Sequence, residues 1–236
     1  MRQTEILDRS KFLDALKEKF VIEPRRTAAV TIDMHRGHLD PAVATLPAPR
    51  DNCAAVVRNA AKVLRAAREA GMPVVHCILV KRDIEAERAR PFHKAVMEVR
   101  EHLTPGSASD LRRHNLEGSV QTEIIPDLLA KGDYVVNNKK TLSSFYGTDL
   151  DNLLRVLEAD TLILMGINTN TCVQCACFDA SNLRYTVSVV SDAVDSMYGR
   201  DLHVFALENI SRTMGWVLTA EEFVAKIEAA AGVAAR

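Results

Sequence analysis

The stretch TLILMGINTNTCV, residues 161–173, decides the fold. Its first seven residues are almost entirely apolar, and the polar NTNT that follows ends in Cys172. A short apolar run bounded by turn residues is typical of a strand buried on both faces of a parallel sheet. We therefore predict a strand over 161–167, then a turn, then a helix over about 171–183.

The same alternation extends in both directions along the chain. The other predicted strands are 27–33, 74–80, 134–138, 186–193 and 216–220. The other predicted helices are 4–20, 58–71, one within 87–103, 149–159, 202–214 and 220–231. Buried strands that alternate with helices predict a parallel sheet covered on both faces. We predict a single α/β domain over 1–236, a three-layer doubly wound (Rossmann-like) fold, with an N-terminal helical extension at about 1–24.

Composition and charge exclude several classes of partner. The net charge of −1 gives no electrostatic basis for binding nucleic acid or an anionic membrane surface. No apolar stretch approaches the ~20 residues that span a bilayer. The first residues lack the apolar core of a signal peptide, and five cysteines without such a signal are typical of a reducing compartment. We expect a cytoplasmic protein with free thiols.

Three reactive side chains follow predicted strands. Asp33 ends the first strand, Lys139 follows the third and Cys172 lies just beyond the fourth. Ligands of such sheets bind outside the carboxyl ends of the strands. An ammonium and a helix start would lower the pKa of a thiol, and a carboxylate could take its proton. Taken singly, each residue also has an ordinary explanation, as a helix cap, a surface charge and core packing.

The chain also lacks a motif that this fold often carries. GINTNT, residues 166–171, does not match the glycine-rich GxGxxG loop that holds a dinucleotide. We therefore expect no nucleotide cofactor, and the chemistry proposed for the three side chains requires neither a metal nor an organic cofactor.

Five segments together resemble the isochorismatase-like cysteine hydrolases. They are VTIDM (30–34), NNKKTLSSFYGTDLDNLL (137–154), TLILMGINTNTCV (161–173), VVSDAVDS (189–196) and LHVFALENI (202–210). The resemblance covers about 27–215 apart from an insert at 81–118. It implies a six-stranded parallel sheet, with Asp33 as general base, Lys139 as the catalytic lysine and Cys172 as nucleophile. Lys139 matches better than Lys140 because it stands four residues before Ser143.

The resemblance also implies a reaction. The family usually has a cis peptide that maps to Ile167–Asn168, in a turn that aims the N–H groups of Asn168 and Cys172 at a carbonyl oxygen. The chain is similar to N-carbamoylsarcosine amidase and related ureido hydrolases. The implied activity is cleavage of the C–N bond of a small amide or N-carbamoyl compound through a thioester-type intermediate, with a homodimer or homotetramer as the assembly.

Three alternatives stay open at this point. A nicotinamidase-type amidase would carry an Asp-x-His metal motif, but the matching segment 81–85 reads KRDIE without that histidine. A vinyl ether hydrolase or lyase of the same fold would not need Cys172. A non-catalytic relative would use the fold as a binding module.

Several polar residues are candidates for binding the substrate. The loop DMHRGH places His35, Arg36 and His38 close to the general base. Asn170 offers amide groups, and Arg82 could hold a substrate carboxylate; Arg112, Arg113 and His114 lie in or near the insert. Loop packing, local turn bonds and solvation explain the same residues. His35 and His38 could also bind zinc, but the sequence offers no evident third and fourth ligands.

Overall fold

The computed structural model describes residues 6–103 and 114–234, and these contain a six-stranded sheet in which all paired strands are parallel. The strands are β1 (Thr27–Ile32), β2 (Val74–Leu79), β3 (Tyr134–Lys139), β4 (Thr161–Ile167), β5 (Thr186–Asp195) and β6 (Gly215–Leu218). Their order across the sheet is β3-β2-β1-β4-β5-β6. The chain order therefore reverses between β1 and β4, which is where a doubly wound sheet opens a crevice for ligands.

Helices cover both faces of the sheet, as the sequence predicted. They are α1 (Ser10–Lys17), α2 (Arg36–Leu39), α3 (Arg50–Glu69), α4 (Asp83–Glu87), α5 (Pro91–Leu103), α6 (Leu150–Val156), α7 (Gln174–Asn182), α8 (Arg200–Thr213) and α9 (Ala220–Ala234). One apolar core contains buried residues of α3 and α9. The opposite core contains buried residues of α6, α7 and α8. None of the helices in the described ranges is long and apolar enough to cross a membrane.

Helix boundaries differ from the predicted ones more than strand boundaries do. Helix α3 begins at Arg50 rather than at 58, because Val56 and Cys53 extend its buried stripe by one and two turns before Ala60. It ends before Gly71, which has the positive φ (73°) typical of a helix terminus. The short helices α2 and α4 were not predicted, since four or five residues carry too little periodicity to be recognised.

Strands β1 and β4 approach one another closely at Gly166. This residue has φ of 143°, a conformation that side chains rarely adopt, and a Cβ atom there would collide with the carbonyl group of Ile32. The glycine lets the ends of both strands lie side by side. Asp33 follows β1 directly, and the turn with Cys172 follows β4.

An aromatic cluster joins the segment after α1 to the β6 edge of the sheet. The ring of Trp216 in β6 stacks on Phe20, with ring centroids 5.1 Å apart, and Phe20 also packs edge-on against Phe223 of α9. The Trp216 indole N–H donates a hydrogen bond to the carbonyl of Leu16 in α1, at 2.9 Å. These contacts hold α1 against the main body, although α1 itself has no buried residue.

Candidate active site

Asp33, Lys139 and Cys172 meet at the carboxyl edge of the sheet. The ammonium Nζ of Lys139 lies 2.6 Å from Asp33 Oδ2 and 3.4 Å from Cys172 Sγ. Asp33 and Lys139 are completely buried, and Cys172 is 5% exposed. Lys140 faces elsewhere and donates to the carbonyl of Val80 at 2.6 Å. The lysine that joins the other two groups is therefore Lys139.

The backbone fixes the Asp33 carboxylate on the side away from Lys139. Asp33 has a φ of 54°, and its N–H donates to the Cys77 carbonyl at 2.8 Å. Its Oδ1 accepts a hydrogen bond from the Leu79 N–H at 2.7 Å. Both partners belong to β2, so one carboxylate oxygen is held by the sheet while the other faces the lysine. A carboxylate that accepts such bonds is stabilised in its charged form.

Burial and charge oppose each other in the Asp33–Lys139 pair. Burial acts to raise the pKa of Asp33, but the charge of the Lys139 ammonium and its hydrogen bond act to lower it, and the pKa of Asp33 is lowered. Burial acts to lower the pKa of Lys139, but the negative charges of Asp33 and of Cys172 as thiolate outweigh it, and that pKa is raised. The pair is therefore a buried carboxylate and ammonium at neutral pH.

The thiol of Cys172 is not acidic in this structure. Burial raises its pKa to about 12; Lys139 acts to lower it, whereas the charge of Asp33 and a hydrogen bond to Asp33 act to raise it. The lysine thus acts in the predicted direction, but burial dominates. The resting thiol is protonated at neutral pH, and the Asp33 carboxylate that could take its proton contacts the same Lys139 ammonium.

Cys172 lies in a tight turn, two residues before the first residue of α7. The Ile167–Asn168 peptide bond is cis, as the resemblance implied. A π-helical turn spans Thr169–Val173, and the Asn168 carbonyl accepts hydrogen bonds from the N–H groups of Thr171 and Val173, at 3.2 and 3.1 Å. The predicted oxyanion donors, the N–H groups of Asn168 and Cys172, both belong to this turn.

The segment that follows β5 holds this turn in place. The Asn168 side-chain oxygen accepts from the Met197 N–H at 2.9 Å, and the Ser196 hydroxyl donates to Asn170 Oδ1 at 2.6 Å. Thr169 Oγ1 lies 2.8 Å from Nδ1 of His203, in α8. The side-chain oxygen of Asn170, a predicted substrate ligand, is thus engaged within the protein. Sequence reasoning missed these supports because no pattern links residues so far apart in the chain.

The two cysteines that follow Cys172 in the chain have different surroundings. Cys177 in α7 is completely buried in the core. Cys175 is only partly buried, and its Sγ lies 3.7 Å from Asp179 Oδ2 in the same helix. All five cysteines are free thiols.

His35, His38 and His114 form a stack of buried rings beside Asp33. The ring centroids of His35 and His38 are 4.7 Å apart, and those of His38 and His114 are 5.0 Å apart. His35 is tied to the Asn115 side chain at 2.6 Å. Burial lowers the pKa of all three histidines, which are therefore neutral at pH 7. Sequence reasoning placed His35 and His38 near the base but did not foresee the stack.

One ring nitrogen of His38 and one of His114 also form hydrogen bonds within the protein. His38 Nδ1 donates to the Leu46 carbonyl at 2.6 Å, and His114 Nδ1 lies 2.5 Å from the Thr45 hydroxyl. Within the described ranges, no group of three or more His, Cys, Asp or Glu side chains is arranged to hold a metal ion.

The predicted arginine ligands are engaged in ion pairs. Arg36 contacts the carboxylates of Asp40 and Glu123, each at 2.8 Å. The Arg82 side chain is 63% exposed and lies 3.4 Å from Glu85. Neither guanidinium contacts the three central side chains. Arg112 and Arg113 lie outside the described residues.

A cavity of about 280 Å³ lies at the same edge of the sheet. Among its lining residues, Leu46, Lys81, Lys140 and Tyr198 follow the carboxyl ends of β1, β2, β3 and β5. Lys81 was considered in the sequence only as part of an incomplete metal motif. A larger cavity, of about 510 Å³, lies between α1 and β6. None of the three central side chains lines either cavity.

Comparison with known proteins gives matches over most of the chain. Residues 27–222 match the isochorismatase domain. The chain is 29% identical over 230 residues to the ureidoacrylate amidohydrolase RutB of Methylobacterium radiotolerans, covering 95% of this chain and 86% of that protein. The comparison with solved structures gives likenesses of similar extent.

Two solved structures illustrate this structural similarity. A cysteine hydrolase from Pseudomonas syringae pv. phaseolicola matches with a TM-score of 0.73 and 26% identity, over 90% of this chain and 97% of that one. The N-carbamoylsarcosine amidase of Thermoplasma acidophilum matches with a TM-score of 0.62 and 26% identity, over 83% of this chain and 97% of that one. The fold around the site is thus shared with hydrolases.

Proposed function

The chain belongs to the isochorismatase family, and on that premise we propose that it is a cysteine-dependent amidohydrolase that cleaves a C–N bond of a small amide or ureido compound. One observation carries the proposal: a single ammonium, Lys139 Nζ, contacts both the Asp33 carboxylate and the Cys172 thiol. The similarity to a ureidoacrylate amidohydrolase and to an N-carbamoylsarcosine amidase supports the class of substrate.

In the first half of the reaction the thiol attacks the carbonyl carbon. Asp33 takes the proton as the S–C bond forms, because a thiol with a pKa of about 12 supplies little thiolate at neutral pH. Asp33 then gives this proton to the departing nitrogen, and ammonia or an amine leaves. A thioester remains from an amide, and a thiocarbamate from a ureido compound.

In the second half water replaces the nitrogen at the same carbon. Asp33 is again a carboxylate and takes a proton from the attacking water. The tetrahedral intermediate collapses, the C–S bond breaks, and the sulfur recovers a proton from Asp33. The net reaction consumes one water and releases the acid and ammonia or amine.

Lys139 and the turn would stabilise negative charge in both halves. Lys139 keeps its proton throughout, since its raised pKa excludes it as a base at neutral pH. It balances the charge that moves between Asp33, the sulfur and the carbonyl oxygen. The N–H groups of Asn168 and Cys172 are the proposed oxyanion donors, and removing one such donor in other hydrolases costs about 100- to 1000-fold in rate.

The test is ammonia release from a panel of amides, ureido acids, biuret-like compounds and hydrazides. We expect Cys172→Ser to lower kcat by at least about 1000-fold, as expected for loss of a nucleophile. Cys175→Ser is the matched control, since this cysteine lies three residues further on and contacts Asp179 instead. The control should keep at least half of the wild-type kcat.

Two results would contradict the proposal. Turnover that survives in Cys172→Ala would favour the vinyl ether hydrolase or lyase mechanism. Activity that is lost with a chelator and restored by a stoichiometric metal would favour the nicotinamidase-type mechanism.

A covalent intermediate would support the amidohydrolase proposal. It would be detected by mass spectrometry, after an acid quench, as an adduct on the peptide that contains Cys172.

A further inference from the structure

Lys81 occupies an unusual position for a lysine. It lies at the carboxyl end of β2, it is partly buried, and it lines the 280 Å³ cavity. Among the residues whose side chains the structure describes, none forms a hydrogen bond or ion pair with its ammonium. Its backbone is held at both ends, by Asn115 and Glu117, at 2.8 Å each. In the described ranges its ammonium is therefore without a directly paired carboxylate, and the charge of Glu85 acts on it only at longer range.

Two neighbouring cations, Lys140 and Arg82, have partners within the protein. Lys140 donates to the Val80 carbonyl at 2.6 Å and lies 3.8 Å from Glu85. Arg82 also uses Glu85, and its side chain is mostly exposed. Glu85, the acidic residue of this cavity wall, is thus shared by two cations other than Lys81. Arg88 and Arg90 also line the cavity, but both are exposed, so water screens their charges. An anion in the cavity would therefore interact most strongly with the partly buried Lys81.

The charge on Lys81 is unfavourable in the protein alone. Burial and the charge of Lys139 act to lower the pKa of Lys81 and outweigh the charge of Glu85, which acts to raise it. A partly buried ammonium without a partner is costly, and a bound anion would offset that cost. A negatively charged ligand would therefore bind more tightly than a neutral one.

The cavity is adjacent to the three central side chains. Lys140 in its wall directly follows Lys139, and Leu46 accepts the hydrogen bond of His38, which lies beside Asp33. Val96 and Met97 of α5 supply an apolar side. The three central side chains do not line this cavity themselves. A substrate with its carbonyl at Cys172 would extend into the cavity, with its methylene groups against α5 and a charged end at Lys81.

We propose that Lys81 binds a carboxylate of the substrate, so that the protein acts on small ureido or amide acids in preference to their neutral analogues. This inference rests on the proposed amidohydrolase function. It transfers the role that the sequence suggested for Arg82 to the preceding residue, whose side chain lines the cavity. Lys81 is in this sense a specificity-determining residue.

Binding without turnover tests the inference first. Ureidoacetate, 3-ureidopropanoate and 4-ureidobutanoate are titrated calorimetrically into the Cys172→Ser protein, beside alkylureas that carry an ethyl group in place of the carboxylate. We expect at least one acid to bind at least tenfold more tightly than its alkylurea. Adding Lys81→Met should remove this preference, Lys81→Arg should keep part of it, and Arg82→Met, the matched control, should leave it intact.

Turnover separates this inference from the function on which it rests. In the protein with Cys172 intact, Lys81→Met should lower kcat/KM for the acid at least tenfold and for the alkylurea less than twofold. Equal binding of acids and alkylureas, or an equal effect of Lys81→Met on both series, would overturn the role of Lys81. Preferential binding of the acids without Cys172-dependent ammonia release would instead overturn the amidohydrolase function and leave the anion site standing.

Discussion

At the scale of single residues, the charge of Lys139 is the property on which the chemistry depends. Without it, Asp33 would be a buried carboxylate whose side chain kept one backbone donor, the N–H of Leu79. Removing one partner of a buried ion pair costs about 3–5 kcal/mol. The same substitution would remove the group that lowers the pKa of the Cys172 thiol. Lys139 therefore affects both the stability of the protein and the reactivity of its sulfur.

Alkylation of Cys172 by iodoacetamide measures that reactivity. Because the pKa of the thiol is about 12, the thiolate fraction and the rate should rise about tenfold per pH unit from pH 7 to 10. Lys139→Met should slow the reaction at every pH, by about tenfold for each unit by which the pKa rises. Lys140→Met is the matched control. A rate that levels off below pH 9 in the wild type would contradict the buried, protonated thiol.

At the scale of the elements, the alignment of β1 with β4 depends on Gly166. Gly166→Ala combines an unfavourable φ of 143° with a collision against the Ile32 carbonyl, and we expect it to lower the free energy of unfolding by at least about 3 kcal/mol. Gly71→Ala is the control, since Gly71 also has a positive φ but has nothing within 4 Å of an added Cβ. That change should cost only about 1 kcal/mol.

Urea unfolding of both variants checks this prediction. Equal losses in the two proteins would mean that φ alone, and not the close approach of the strands, restricts the residue at position 166. A larger loss for Gly166→Ala is the expected result, because its φ of 143° and the collision with Ile32 both add to the cost.

The elements also show what the sequence could and could not predict. Buried strands such as β4 were predicted to the residue, because an apolar run between turn residues leaves few alternatives. The fold and the identity of Asp33, Lys139 and Cys172 as candidates followed from strand ends and from resemblance. The turn around Cys172 was predicted as a helix start, since a single π-helical turn leaves no periodic pattern in the sequence.

The side-chain contacts around the cavity could not be predicted from the sequence, for a different reason. Arg82 and Lys81 are adjacent, and no pattern distinguishes the side chain that pairs with Glu85 from the one that lines the cavity. The buried position of the Cys172 thiol, which raises its pKa, likewise depends on how distant segments pack. Loop residues are placed by tertiary contacts, whereas strands are placed by their own composition.

At the scale of the whole molecule, the buried histidines make stability depend on pH. The pKa values of His35, His38 and His114 are lowered in the folded protein, so the unfolded chain binds more protons as the pH falls through about 6.5. Stability should therefore decrease with acidification, by up to about 1.4 kcal/mol per pH unit for each histidine. The depressed pKa of Asp33 adds no slope in this window, because that carboxyl stays ionised in both states.

Urea denaturation at pH 7.5, 6.5 and 5.5 measures this dependence. His114→Gln should reduce the slope, whereas His93→Gln, which changes an exposed residue, should alter it little. A free energy of unfolding that stays constant or rises on acidification would show that the stack is protonated in the native state. The homodimer or homotetramer expected from the family stays a prediction, which sedimentation equilibrium would check.

The contact between Trp216 and Phe20 gives the protein an internal fluorescent reporter. The chain contains a single tryptophan, so its emission spectrum comes from one site, at the junction of α1 and β6. Detachment of α1 would expose the indole to water and shift its emission to longer wavelength, whereas events at Cys172 would leave the indole in place. Stopped-flow fluorescence can therefore time the docking of the N-terminal helix separately from the chemistry, in the unmodified protein and without an added label.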